Sequence, residues 1–168
     1  MNELYAEAGC KRQNNGKVLL QKVGLIAAVV LIILVGFLMM NTIVMFVGML
    51  GVIGIFFLLP NFNVEYEYVF VDGQLDFDKI MGKSRRKNAL RIQMEQVELV
   101  APTNSHSLDS YKNMNDVKVR NFASGDPNAK VYEIIHREGE KTTRILFEPS
   151  EKMISCMKLK SPRKISEY

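Results

Sequence analysis

From Val23 to Val64 the chain carries no Asp, Glu, Lys, Arg or His. That is roughly 40 residues, against the ~20 that one helix needs to cross a hydrocarbon core. A single helix over Val23–Leu59 would be about 55 Å long at ~1.5 Å per residue, nearly twice the ~30 Å core. The stretch therefore divides. Its one adjacent polar pair is Asn41-Thr42, and a turn there, at the far interface, lets water satisfy the broken backbone hydrogen bonds. The expectation is a two-helix transmembrane hairpin over 23–60, with helices at about 23–40 and 43–59 and Pro60-Asn61 ending the second.

Basic residues fix its direction. Lys11, Arg12, Lys17 and Lys22 precede the first span, within a cytoplasmic basic arm read over 1–22, and the far turn is uncharged. The positive-inside bias then puts both termini in the cytoplasm, in a multi-pass cell-membrane protein. A cleaved secretory signal fits poorly, because the apolar run is too long and no small-residue cleavage site follows a short core. No ionisable residue interrupts either span, whereas ion pathways and proton relays usually show one. Gly48, Gly51 and Gly54 recur at three-residue spacing in the second helix. Small residues let helix backbones approach closely, which favours a packed hairpin and leaves a homodimer contact through the same glycines as the lesser option.

The net charge of +4 over 168 residues divides about evenly between the first 22 residues and the rest. A nucleic-acid binder concentrates its basic residues on one face, so none is expected as a partner. Cys10 and Cys156 are the two cysteines; they form no close pair, which argues against a disulfide framework or a zinc site and fits a reducing compartment.

After Val64 the texture changes to short alternating runs. Val64–Val71 alternates acids with aromatics, Asp72-Gly73 is a two-residue hairpin turn, and Gln74–Met81 pairs back with Leu75 and Phe77 on one face. Further strands are expected at Asn88–Met94, Gln96–Val100, Val117–Phe122, Lys130–His136 and Thr142–Phe147, with a long polar loop over Pro102–Asp116. Pro149-Ser150-Glu151 opens a C-terminal helix over 150–160, with Met153, Ile154, Met157 and Cys156 as its apolar face and Pro162 as its stop. The fold class is thus an α+β membrane protein: a hairpin, then a mostly β domain over 64–168 closed by a helix.

Several segments carry a resemblance: Lys11-Arg12 and Gly16-Lys17 before the first span, then Glu65-Tyr66-Glu67-Tyr68, Asp72-Gly73-Gln74-Leu75-Asp76 and Lys79-Ile80-Met81. They continue with Val97-Glu98-Leu99-Val100-Ala101-Pro102, Ser105-His106, Leu108-Asp109-Ser110-Tyr111, Ser124-Gly125-Asp126-Pro127 and Ile145-Leu146-Phe147-Glu148-Pro149. On these the chain resembles, over nearly its whole length, a domain-of-unknown-function family of small bacterial two-span membrane proteins. Its soluble part is similar to the bacterial pleckstrin-homology-like architecture. The resemblance implies a seven-stranded barrel plugged by the terminal helix, and brings no reaction with it.

Two groups of side chains stand out. Lys83, Arg85, Arg86 and Lys87 form a basic turn with Arg91 nearby, a candidate contact for anionic lipid, where each basic residue contributes ~1 kcal/mol. Pleckstrin domains that bind phosphoinositides carry their basic motif between the first two strands, and here that connection is the acidic Asp72-Gly73. Ser105, His106, Asp109 and Tyr111 mark the long loop as a candidate partner-binding site. Ser105, His106 and Asp109 would make a nucleophilic relay only if held in line beside an oxyanion hole, and Asn, Ser and Asp are also ordinary residues of a capped loop. His106 and His136 lack ligand-spaced companions, so no metal, cofactor or catalytic residue is expected.

The expected function is a non-enzymatic interaction or scaffolding module, integral to the bilayer, presenting a pleckstrin-like domain to a protein partner at the cytoplasmic leaflet. The runner-up is a sensor of anionic lipid or envelope state through residues 83–87. An enzyme using the 105–111 loop is a remote third.

Overall fold

Alternating Glu65 and Glu67 with Tyr66, Tyr68 and Phe70 puts aromatic rings on one face of a strand and acids on the other. In the computed structural model, which describes residues 4–13, 16–59, 63–82, 85–112, 114 and 117–166, this strand forms as β2, Val64–Val71, with Tyr66, Tyr68 and Phe70 buried. Earlier in the chain lies β1, Tyr5–Lys11. Asp72 and Gly73 both adopt positive φ, 44° and 102°, the geometry of the tight hairpin turn. The chain returns as β3, Gln74–Met81, which buries Leu75 and Phe77, and continues as β4, Arg85–Gln93. A single 3-10 turn at Met94–Gln96 then turns the corner into β5, Val97–Pro102.

Beyond the loop come α3 (Asp109–Lys112), β6 (Lys118–Asn121), β7 (Tyr132–Glu138), β8 (Lys141–Phe147) and α4 (Glu151–Lys160). The strands form two four-stranded sheets, ordered β1-β2-β3-β4 and β5-β7-β8-β6. All register pairs in β5-β7-β8 are antiparallel, while β6 runs parallel to β8 with Lys118 opposite Thr143. The core lies between the two inner faces. Phe77 stacks on Phe122 at 4.9 Å and meets Tyr68 and Phe147 edge-on at 5.6 and 5.8 Å, arrangements aromatic rings prefer. Ser150 caps α4, its hydroxyl accepting from Met153 N at 3.3 Å, and Met153, Ile154, Cys156 and Met157 are buried as the helical spacing requires.

Three expectations need correction. The sheets do not close into a barrel, because the 3-10 turn after β4 breaks the ladder instead of carrying it into β5. The described strands number eight, not seven, β1 and the parallel β6 being the elements that change the pattern. The segment over 1–22 is not a free arm: Tyr5–Lys11 pairs antiparallel with β2, Tyr5 opposite Val71 and Lys11 opposite Glu65. Ala6, Ala8 and Gly9 are poor strand formers, which hid it. Gly9 is needed for closeness, since a Cβ there would meet Tyr66 O at 2.9 Å.

The chain divides into two compact units: Met1–Arg12 with Glu65–Ile80 and Arg86–Tyr168, and Gln13–Val64 with Met81–Arg85. In the second unit, α1 (Gly16–Leu38) and α2 (Thr42–Leu58) pack on one another. The turn falls where the polar pair put it. Met40 takes φ 51°, and Asn41 caps α2 by accepting from Ile43 N at 3.0 Å and Val44 N at 3.3 Å. Val18–Leu38 is long and apolar enough to cross a membrane, whereas α2, at 17 residues, is shorter, so only the first of the two expected spans meets the length. Pro60-Asn61 lies outside the described residues. Two of the three flagged glycines serve the α1–α2 contact: a Cβ on Gly48 would meet Ile33 Cγ1 at 2.5 Å, and one on Gly51 would meet Val29 Cγ2 at 3.1 Å. Gly54 faces open space, and Gly36, not anticipated, lies against the backbone of Met45.

Candidate functional site

The 102–112 loop is an ordered cap on the second sheet. Thr103 N donates to Val131 O at 3.1 Å and Ser105 N to Pro102 O at 2.9 Å. The Ser105 hydroxyl accepts from Ser107 N at 3.2 Å and so caps a 3-10 turn, His106–Leu108, that runs into α3. The turn drives Leu108 into a buried cluster with Ala101 and Ile135, against which Leu99 and Tyr111 pack. Partial burial, then the nearby Glu98 carboxylate, push the Tyr111 phenol above its ordinary range.

Local capping therefore separates the residues that adjacency in sequence had joined. Ser105 is 4% exposed, whereas the His106 side chain stands fully in solvent with Nδ1 3.1 Å from Asp109 Oδ2. His106 and Asp109 are brought together; the Ser105 hydroxyl is engaged in the cap. Beside them Pro102–His106 and Ala129–Tyr132 line a cavity of about 610 Å³, a concave, mixed polar and apolar surface.

The basic turn is organised differently from its sequence. Arg86 donates to Asp78 Oδ2 at 2.8 Å and also to Glu67, and Arg91 donates to Asp76 at 2.6 and 3.1 Å. Hydrogen bonding to Asp78 and the Glu67 charge hold Arg86 above its usual range, and Asp76 does the same for Arg91. The outer face of β2, β3 and β4 is thus a matched acid and base surface. Arg85 and Lys87 are exposed, and Lys83 lies outside the described residues.

His136 is buried in β7, with Nε2 3.3 Å from Gln96 Oε1, and burial pushes its pKa down. It is not grouped with His106, and among the described residues no cluster of three His, Cys, Asp or Glu could hold a metal. Cys10 and Cys156 are both free thiols. Cys10 Sγ lies 2.9 Å from Tyr68 Oη and 3.3 Å from Phe122 O, and burial raises its pKa to about 11, which favours the protonated thiol.

Sequence reasoning missed the outer edge of β5. After α4, Ile165 forms an isolated parallel bridge with Val100, and Ser166 N donates to Val100 O at 2.8 Å. Lys164 Nζ donates to Met94 O at 2.7 Å and Glu95 O at 2.9 Å. The only signal was a Lys-Ile-Ser triplet beyond Pro162, too short for periodicity to register.

Two four-stranded sheets packed face to face over a shared aromatic core, with a C-terminal helix set into it, define a pleckstrin-homology-like α+β domain. Over residues 2–167 the chain matches a family described as a bacterial PH-like domain (DUF6106), a domain of unknown function, and it belongs to that family. No curated protein and no solved structure matches it.

Proposed function

We propose that the chain is a non-enzymatic interaction module, a PH-like domain tethered at the cytoplasmic leaflet by a two-span hairpin and offering its surface to a protein partner. One observation carries the tether. Lys11 and Glu65 are register partners on neighbouring strands, so the apolar segment between them leaves the sheet and re-enters it at the same place. A membrane segment with that constraint must cross an even number of times. With one helix of spanning length and a second of 17 residues, two crossings satisfy it. At ~1.5 Å per residue α2 covers about 25 Å, and a small mismatch of that kind is met by local thinning of the bilayer. Basic residues at Lys11, Arg12, Lys17 and Lys22 favour the cytoplasm for the shared side.

Partner docking draws on the exposed His106–Asp109 pair and the cavity beside it. The lipid-sensing reading stands second. Arg85 and Lys87 remain exposed for it, but Arg86 is neutralised by Asp78 and Glu67. The topology has a direct test: a reporter active only outside the cytoplasm, fused after Tyr168, is expected to give no signal. Strong activity from that fusion overturns the two-span tether.

A further inference from the structure

β5 is one of the two edge strands of the second sheet, and the chain's own residues 164–166 meet its outer side at Val100 and at the turn that leads into it. The cover is narrow. Pro162 ends the helical run, a 3-10 turn spans Pro162–Lys164, and among the described residues an isolated bridge follows. Among the described residues it is held by Ser166 N on Val100 O, Ser166 Oγ 3.5 Å from Ser107 Oγ, the Ile165 side chain at 9% exposure, and the Lys164 ammonium on the carbonyls of Met94 and Glu95. The main-chain N–H meets an edge carbonyl, Ile165 takes a buried position beside Val100, and the ammonium meets the carbonyl end of the turn leading into β5. An uncovered strand edge is a template for pairing with another chain, and extended segments bind such edges through main-chain bonds, with side-chain pockets giving specificity.

We propose that the outer edge of β5 is a strand-addition site for an extended segment of a partner protein, held shut by the chain's own tail. The tail specifies the occupant. It is a segment running parallel to β5, with a basic residue, then an aliphatic one, then a small polar residue whose N–H reaches Val100 O. Among the described residues the cover joins the strand through an isolated bridge and not a ladder, so a segment of the same pattern can take its place. This rests on the interaction-module reading and names the kind of partner it takes.

The test uses the full chain in detergent and a fluorescent peptide with the sequence of residues 161–168 as the probe. Three receptors are compared: the parent, a chain ending after Lys160, and the full chain carrying Ile165→Asp, which keeps the tail attached but bars it from that buried position. The peptide is expected to bind both variants about tenfold or more tighter than the parent, because apparent affinity falls with the fraction of molecules whose edge is open. The same peptide with aspartate in place of isoleucine should not bind. Absence of saturable binding to the folded variants, or equal binding to the parent, overturns the proposal. So does failure of both variants to fold, since a latch must leave a folded domain behind. A partner that binds parent and variants equally would leave the interaction module standing and remove the latch.

Discussion

A chain in which a short hairpin loop replaces residues 13–63, joining Arg12 to Val64, is expected to be water-soluble and to melt cooperatively. A fragment that simply begins at Asn63 is not. Lys11 and Glu65 face each other across the β1–β2 ladder, where paired Cα atoms lie about 5 Å apart, so a loop of roughly two to five residues closes it. Starting at Asn63 discards β1. It leaves β2 paired on one side only, with β3, and removes the buried Ala6. It also takes away the strand carbonyls beside α4, where Ser150 Oγ donates to Glu7 O at 3.4 Å and Cys156 Sγ to Tyr5 O at 3.9 Å. Domains are stable by only about 5–15 kcal/mol, and losing a whole edge strand consumes most of that. Thermal melts by circular dichroism distinguish the outcomes. A sharp transition in the Asn63 fragment matching that of the spliced chain would show that β1 contributes nothing to the domain.

The second large effect is expected at Arg144. Its Nε and Nη2 donate to the carboxylate of Glu133, the latter at 3.0 Å, and Glu133 is only 2% exposed. Arg144→Met leaves that charge buried without its cation, at a cost of about 3–5 kcal/mol, or roughly 10–25 °C in melting temperature for a domain of this size. Adding Glu133→Leu is expected to restore most of the loss, since an apolar pair of similar volume is often neutral. A double-mutant cycle on the spliced domain measures the coupling. By contrast Arg86→Gln, which removes a solvent-exposed pair with Asp78 and Glu67, should leave the melting temperature unmoved. Equal effects at Arg144 and Arg86 would contradict the distinction between a buried and a surface pair.

What could be read in advance follows the range of each signal. The β2–β3 hairpin was legible because alternation and an Asp-Gly turn act over a few residues. The terminal helix was legible because a Ser150 cap and apolar spacing coincide. The Asn41 turn was legible as the one polar break in an apolar run. Elements decided by distant partners were not. β1 has weak strand formers and exists because β2, more than 50 positions away in the chain, accepts it. The basic run read as free charge because Asp78 and Glu67, which hold Arg86, lie on other strands. Ser105, His106 and Asp109 read as one constellation, but a cap sets the direction of Ser105 and proximity in sequence does not. The β5 cover depends on a bridge between Val100 and Ile165, which no local pattern announces.

The proposed tether requires that the apolar segment leave and return on the same side of the membrane. Thiol labelling in intact bacterial cells tests it most directly. With Cys10→Ser and Cys156→Ala as background, one cysteine is placed at Met40, 91% exposed in the α1–α2 turn, or at Glu138, exposed at the β7–β8 turn. A membrane-impermeant maleimide is expected to label Met40→Cys in intact cells and Glu138→Cys only after the cells are opened. Labelling of Glu138→Cys in intact cells would contradict the claim.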